Sequence, residues 1–434
     1  MSELPKGWKK EPLGTFVRLK NGYAFKSKDF VAKSENTFPV VRISDIQHGR
    51  VLVTDSTHIE SAIANFKFTV ESGDLLIAMS GATTGKTGVY RSTEVAFQNQ
   101  RVGNLKLVDE QNSCPRYRNY LIASLKEEII KKAYGAAQPN ISAKELEGIE
   151  VNIAPFDEQK RIADKLDSVL AKVEAAQARL DKIPAILKRF RQSVLAAATS
   201  GELTKDWRAT QGLELSSWNE YLFEDISTQI TVGFVGKMAD KYVESGIPFL
   251  RSQNVRPFKF DERNLLFISE DFHQKIYKSR LEAGDLAIVR SGAPGTTCVI
   301  PENLGVVNCS DLVIVRPSEK LVSEYGCIFM NSTAAQGTVK ANQVGVAQQH
   351  FNVGSMKKML INLPTKHEQE EIVFRVNQLF EHSYLIEKKY EMALIRVKKL
   401  EQSILSKAFK GELLSSSVDS DIESIESSVE TLNA

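Results

Sequence analysis

The sequence repeats itself at long range. Gly73-Asp74-Leu75-Leu76-Ile77 returns as Gly284-Asp285-Leu286-Ala287-Ile288, and Ser80-Gly81-Ala82 as Ser291-Gly292-Ala293. Pro39-Val40-Val41-Arg42 returns as Pro248-Phe249-Leu250-Arg251, Glu158-Gln159 as Glu368-Gln369, and Gly201-Glu202-Leu203 as Gly411-Glu412-Leu413. The displacement stays within a residue or two of 210. Solenoid units run at roughly 20–50 residues, so what is repeated here is a whole domain with a long helix attached. A chain built this way presents two similar binding surfaces at a fixed separation.

Each copy reads in two parts. The first part, about residues 5–153 and 216–362, is strand-rich and mixed. Its short apolar runs are bounded by turn residues, as at Phe38 to Ile43, Gly73 to Met79 and Asp311 to Val315. Short helices are expected between them, for example over Tyr117 to Ala133. The second part is a long helix. Ile162, Leu166, Val169, Val173, Ala176, Leu180, Ile183, Leu187, Phe190 and Val194 step by four and three without a break. Ile372, Val376, Leu379, Ser383, Ile386, Tyr390, Ala393, Val397, Leu400 and Ile404 repeat those steps. A 3.5-residue period held this long marks a coiled-coil seam, and about 40 residues of helix span about 60 Å.

Such a stripe must be buried to be stable. The economical partner is the stripe of the other copy, and the globular domain between them makes the pairing antiparallel. The plain alternative is that each stripe packs on its own globular domain. Pro184 has Leu394 as its counterpart. A proline inside a helix removes a hydrogen bond and clashes with the preceding turn, so a bend or break is expected near Ile183. The fold class that follows is α+β: two mixed, strand-rich domains separated by an antiparallel coiled coil of two long helices, with an internal pseudo-twofold repeat. The segments are a first domain (1–153), its helix (154–200), a linker (201–215), a second domain (216–362), its helix (363–414) and a serine-rich acidic tail (415–434). The tail has few large apolar residues and is expected to be disordered.

Composition narrows the function. An apolar fraction of 42% over 434 residues suits two or three globular domains. No run approaches the roughly 18 apolar residues of a membrane span, and Met1 to Trp8 lacks the apolar core of a signal peptide. The expected location is the cytoplasm, without membrane association. Cys114, Cys298, Cys309 and Cys327 do not recur between the copies and form no CxxC pair, which fits reduced, buried thiols. The six histidines have no metal-ligand spacing. A net charge of +2 argues against a protein that coats nucleic acid by charge alone.

Catalytic motifs fail one by one. Ser80 to Thr87 looks like a phosphate-binding loop, but Gly81 and Gly85 enclose three residues where that loop needs four. The second copy, Gly292-Ala293-Pro294-Gly295-Thr296-Thr297, has no lysine. A tight glycine turn at a strand end fits better. The glycine-rich cofactor loop and the Asn/Asp-Pro-Pro-aromatic element of a DNA methyltransferase are both missing. Asn152-Ile153-Ala154-Pro155-Phe156 is a poor echo of the latter, and Asn362-Leu363-Pro364-Thr365 drops the aromatic. These prolines suit a strand end leading into a helix. The carboxylates of Asp157-Glu158-Gln159-Lys160 suit a helix N-terminus rather than a nuclease site.

What remains is a binding molecule with two similar heads. DNA with two half-sites is the natural target, and groove-reading residue types crowd the turns. Examples are Gln98-Asn99-Gln100-Arg101, Gln138-Pro139-Asn140, Arg251-Ser252-Gln253-Asn254 and Gln348-Gln349-His350. The alternative is a structural coiled-coil scaffold with two protein-binding heads.

Glu158-Gln159-Lys160-Arg161-Ile162-Ala163-Asp164-Lys165-Leu166-Asp167, running on through Ile186 to Leu195, closely resembles the central conserved region of type I restriction–modification specificity subunits. Glu368-Gln369 through Gln402 to Leu413 resembles the distal conserved region of that family. The likeness is closest to the type IA group and covers nearly the whole chain. It departs after Gly411-Glu412-Leu413, where some members carry a basic extension and this chain carries an acidic tail.

The resemblance implies a non-catalytic DNA-recognition subunit. Its two target-recognition domains read the halves of a split, asymmetric double-stranded sequence, and the helices set the spacer. Two modification subunits would use S-adenosylmethionine to methylate adenine, and two restriction subunits would use ATP and Mg2+. Candidate DNA-binding residues are Arg42, Ser80, Gln98, Arg101 and Asn140 in the first copy. In the second they are Arg251, Arg290, Ser291, Asn308, Gln348 and His350. Lys188, Arg189 and Arg191, with Lys398 and Lys399, are candidates for phosphate contact or subunit docking.

Overall fold

The computed structural model describes all residues except 1–3, 48, 54–56, 135–138, 342–349, 415–419, 421, 422, 424–426 and 428–434. The expected tail therefore lies almost wholly outside the described residues. The chain divides into two compact units, Met1–Asp181 with Tyr390–Ala434, and Lys182–Lys389. The long helices do not form a unit of their own; each unit takes a share of them.

In the first unit, strands Val17–Asn21, Val102–Leu107, Leu75–Ala78, Thr87–Val89, Gly49–Val51 and Ile46–Gln47 form one sheet in that order. A second sheet runs His58–Glu60, Thr37–Val41, Ala96–Gln98, Thr69–Val70. The strand Leu75–Ala78 is buried on both faces. Leu75 and Ile77 belong to one core, with Leu19 and Leu105. Leu76 and Ala78 belong to another, with Val41 and Val102. A strand covered on both sides reads as an unbroken apolar run instead of an alternation. Helices Pro115–Ser124 and Lys126–Ala133 follow, over the stretch where short helices were expected. The pair Lys9–Pro12 and Glu150–Ile153 runs antiparallel, with Lys9 opposite Ile153.

The second unit repeats this plan. Ser227–Val232, Leu312–Pro317, Leu286–Val289 and Thr297–Val299 form one sheet, and Tyr242–Val243, Leu266–Ile268, Ile247–Leu250, Val307–Cys309 and Arg280–Leu281 another. Leu286 and Ile288 again face one core while Ala287 and Val289 face a second. Asn219 lies opposite Leu363, each 210 beyond Lys9 and Ile153. Helices Ser323–Asn331 and Thr333–Ala341 take the place of the first unit's helix pair.

The first long helix runs Phe156–Leu180, stops, and resumes as Ile183–Ser200 with proline in its first turn. This is the break expected at Pro184. Leu394 instead lies within the continuous helix Lys366–Phe409. In the first unit, Ile162, Leu166, Val169, Val173, Ala176 and Leu180 share a core with Tyr117 and Leu121 of their own globular domain. The same core takes in Ala393, Val397, Leu400 and Ile404. Both expected modes of burial therefore operate together. In the second unit, Val194, Leu195 and Ala198 share a core with Ile372 and Val376. The local pairing there is antiparallel: Arg191 meets Ser383 and Glu387, and further on Leu203 and Asp206 meet Arg375.

One seam position is corrected. Phe190 is exposed, and Arg191 stands at that height. After the break, the buried residues are Ile183, Leu187, Val194 and Leu195, with the half-buried Arg191 between them. A straight helix drifts off a strict 3.5-residue period, and no proline-free continuity holds the phase here. The expected linker is corrected too. It carries the helix Lys205–Thr210, and its Thr204 and Arg208 are buried against Glu368.

Candidate nucleic-acid interface

The glycine motif that imitates a phosphate loop is a hairpin turn. Leu75–Ala78 pairs antiparallel with Thr87–Val89, and the connecting residues contain Gly81 and Gly85 at φ +77° and +82°. These are left-handed conformations that glycine adopts without a Cβ penalty. A Cβ on Gly85 would sit 3.4 Å from Ile129 and Ile130, so the turn rests on the helix behind it. The segment Pro139 to Ile141 clamps the turn from the other side. Gly81 donates its N–H to Pro139 (3.1 Å), and Ile141 donates to Met79 (2.9 Å). Met79 in turn donates to Arg101 (3.0 Å).

These contacts gather candidates far apart in sequence. Ser80, Gly81, Ala82, Arg101, Tyr134, Pro139 and Asn140 line a cleft of about 760 Å³. Arg42 caps the short 3-10 helix Ile43–Asp45, its N–H bonded to Asp45 (2.8 Å), and the next residue, Ile43, approaches Gly81. The Ser80 and Thr83 hydroxyls and Arg42 Nε are buried with no hydrogen-bond partner among the described residues. Buried polar groups are normally paired, so these point to a ligand edge that would pair them.

The second unit builds the same turn. Gly292 and Gly295 stand at φ +85° and +84°, between Leu286–Val289 and Thr297–Val299. A Cβ on Gly295 would come within 2.8 Å of Gln336 and 3.0 Å of Val339. Phe351 donates to the Arg290 carbonyl (3.1 Å), and the Ser291 hydroxyl bonds His350 Nδ1 at 2.7 Å. Arg290 lies 3.8 Å from Asp311 across an ion pair. Ser252 donates to the Asp311 carbonyl (3.4 Å), and Arg251 donates to the Asn264 carbonyl (3.0 Å). Arg290 Nε and Arg251 Nε are buried without a hydrogen-bond partner among the described residues.

Two candidates are corrected. Gln98 is 1% exposed and donates to the carbonyls of Lys20 and Val102. Asn308 is fully buried, accepts from Ser279 and from the Cys309 N–H, and donates to Ile276. An amide enclosed and paired in this way cannot reach a base edge. The strand registers also show that the two are not counterparts. Gln98 lies opposite Val41 as Cys309 lies opposite Leu250, while Asn308 matches Phe97. Gln348 lies outside the described residues.

On the helices, Lys188, Arg189, Lys398 and Lys399 are exposed. Arg191 is held by Ser383 (2.9 Å) and Glu387 (2.7 Å) within its own unit. Two residues, one at each turn, were not anticipated. Tyr134 is exposed at a helix end, a signal legible as a large aromatic among lysines. Asp311 stands at φ +55° in a turn, and no local pattern announced its pairing with Arg290.

The chemistry is that of a recognition surface. Among the described residues, no group of three or more His, Cys, Asp or Glu could hold a metal ion. The thiols are sealed: burial pushes Cys298 up to about 12, and burial raises Cys309 and Cys327 as well. Among the described residues, no helix is long and apolar enough to cross a membrane.

Each unit thus offers arginines and, among the described residues, unpaired polar atoms at a strand-end turn, the chemistry of a binding surface. Comparison with known proteins gives the family. Residues 5–185 match the model of the type I restriction modification DNA specificity domain. The chain is 31% identical to the type I restriction enzyme EcoBI specificity subunit of Escherichia coli, covering 94% of this chain and 86% of that one. It is also 31% identical to the EcoKI specificity subunit of Escherichia coli strain K12, covering 95% and 90%. This chain belongs to the type I restriction enzyme specificity subunits. Solved structures share the fold. A chain from a study of assembly and conformational transition of the type I R-M system matches with a TM-score of 0.68 at 18% identity, covering 95% of this chain and all of that one. The HsdS subunit from Thermoanaerobacter tengcongensis matches at 0.58 and 18% identity, covering 95% and 99%.

Proposed function

We propose that this chain reads a bipartite, asymmetric DNA sequence, one half through each globular domain, and directs adenine methylation and restriction that partner subunits carry out. The observation that supports this best is the turn built twice with different side chains. Ser80, Arg101 and Asn140 surround the first turn, and Ser291, Arg290, Asp311 and His350 the second. Arginine and polar side chains at a protruding turn suit base edges in the major groove, with phosphate contacts positioning them. In this reading Arg42, Ser80, Arg101 and Asn140 serve one half-site, and Arg251, Arg290, Ser291 and His350 the other. Lys188, Arg189, Lys398 and Lys399 remain for phosphate or subunit contact.

The long helices, paired antiparallel as a coiled coil, would set the spacer and carry two modification subunits. Two restriction subunits complete the assembly, with S-adenosylmethionine, ATP and Mg2+ used by the partners, in the cytoplasm. The test is domain exchange. Replacing residues 1–150 with those of another family member, and mapping methylated adenines, should alter one half-site and leave the other intact. A change in both halves, or in neither, overturns the reading. Binding of a coiled-coil scaffold to proteins would instead show no salt-dependent preference for one DNA sequence.

A further inference from the structure

The start of the second long helix is locked by a buried polar cluster. Glu368 is fully buried and accepts from Thr204 Oγ1 (2.7 Å), from Arg208 Nη1 and from Trp218 Nε1 (2.9 Å). Arg208 also donates to the Gly201 carbonyl. The cation and its hydroxyl come from the segment that follows the first long helix.

The first copy reproduces the frame of this cluster. Gln159 accepts from Cys114 N–H and donates to Ala154, as Gln369 accepts from Val322 and donates to Pro364. This sets Glu158 where Glu368 stands. Each carboxylate acts on the neighbouring tyrosine, Glu158 on Tyr117 and Glu368 on Tyr325. Trp8 precedes the strand Lys9–Pro12 as Trp218 precedes Asn219–Leu222, in the same register. Gly411, at φ +78°, abuts Pro5 as Gly201, at φ +83°, abuts Leu215.

The frame is repeated, but its occupant is not. The positions 210 beyond Thr204 and Arg208 are Leu414 and Val418, and residues 415–434 contain no Lys or Arg. Trp8 is 7% exposed, and its Nε1 is buried with no hydrogen-bond partner among the described residues. Glu158 is half-buried and makes no ion pair among those residues. A buried indole N–H without an acceptor is destabilising, because burial removes the water that would otherwise bond it.

We propose that Trp8 and Glu158 form a socket for an arginine of the modification subunit, the place that Arg208 fills from within the chain in the second copy. The inference rests on the functional reading above, which supplies that partner. The occupant is cationic because Glu158 is anionic, which also excludes a DNA phosphate. A planar guanidinium suits a carboxylate beside an indole better than an ammonium does. A guanidinium bound to Glu158 would turn its carboxylate oxygen toward Trp8 Nε1, as Arg208 and Glu368 do for Trp218. One consequence is asymmetry: among the described residues, one of the two sockets is filled by an arginine of the chain and the other is not.

The test uses the full chain with its modification subunit. Glu158→Gln should leave the Tm of the isolated chain unchanged and weaken association with the modification subunit by at least about tenfold, read by titration calorimetry. A second variant, Leu414→Thr with Val418→Arg, supplies the missing groups in cis. It should raise the Tm and also weaken association. Glu368→Gln is the contrast, expected to lower the Tm of the isolated chain. If Glu158→Gln lowers that Tm as far as Glu368→Gln does, the chain fills the socket itself and the proposal falls. If Glu158→Gln associates as the wild type does, the socket alone is overturned. If the wild-type chain does not associate with the modification subunit at all, the functional reading fails first.

Discussion

At the first hairpin turn, Ser80 keeps an unpaired hydroxyl and Arg101 is exposed at the cleft; at the second, Ser291 is bonded to His350 and Arg290 is tethered to Asp311. The backbones match closely. Both turns use two left-handed glycines, rest on the second of two helices, and hang from a strand buried on both faces. The frame is conserved between the units because backbone strain and core packing permit few substitutes. The groups it presents are free to differ, and that freedom is what two readers of unlike sequences require. The same division recurs beneath the sheets. Asp74 is held by Asn104 and Lys106, while its counterpart Asp285 is gripped by both nitrogens of the Arg316 fork.

The largest expected effect separates a buried ion pair from an exposed one. Arg208→Met would leave Glu368 buried without its cation, a change that costs about 3–5 kcal/mol. Arg18→Met, at the exposed ion pair with Glu147, should cost below about 1 kcal/mol. Denaturant titration of both variants checks the contrast, and equal losses would break it. The turns come next. Gly295→Ala adds a Cβ that meets Gln336 and Val339 at a left-handed φ, and should cost about 1–3 kcal/mol. Gly85→Ala meets the helix behind it only at 3.4 Å and should cost less, near 1 kcal/mol. Thermal unfolding orders the two, and a larger loss at Gly85 would mean that the turns are seated differently.

Smaller effects sharpen the comparison at the recognition groups. Ser291→Ala loses the bond to His350 and should cost about 1 kcal/mol of stability. Ser80→Ala removes a buried hydroxyl that has no partner and should be neutral or slightly stabilising. Each should weaken binding at its own half-site alone, read by competition with DNA altered in one half. Least dramatic is thiol reactivity. Burial raises Cys298, Cys309 and Cys327, so their thiolate fraction stays low through pH 8.5. Alkylation of these three in the folded chain should run more than about a hundredfold slower than in denaturant. Rapid modification of Cys298 would show that its sheet opens.

Local signals carried the sequence reading where they were strong. The repeat at 210 and the break at Pro184 rest on properties of a few neighbouring residues, and they stand in the structure; the heptads hold except at Phe190. The glycine turns were legible for the same reason, since left-handed φ leaves little choice of residue. Ser80, Arg101 and Asn140 were picked separately from turns and are brought to one cleft. Gln98 and Asn308 were picked by the same reasoning and are enclosed, because a polar residue beside a turn points inward or outward according to strand pairing that no short window encodes.

By itself, the sequence determined that two like domains and two long helices exist. Periodicity, proline and glycine act within a turn or two of chain, so their consequences can be read along the chain. Only the tertiary structure decided that Arg191 and not Phe190 faces Ser383, that Arg208 belongs to Glu368, and that Trp8 finds among the described residues no partner such as Trp218 has. Those outcomes depend on which distant groups arrive at the same buried point, and burial sets the cost of a group left unpaired.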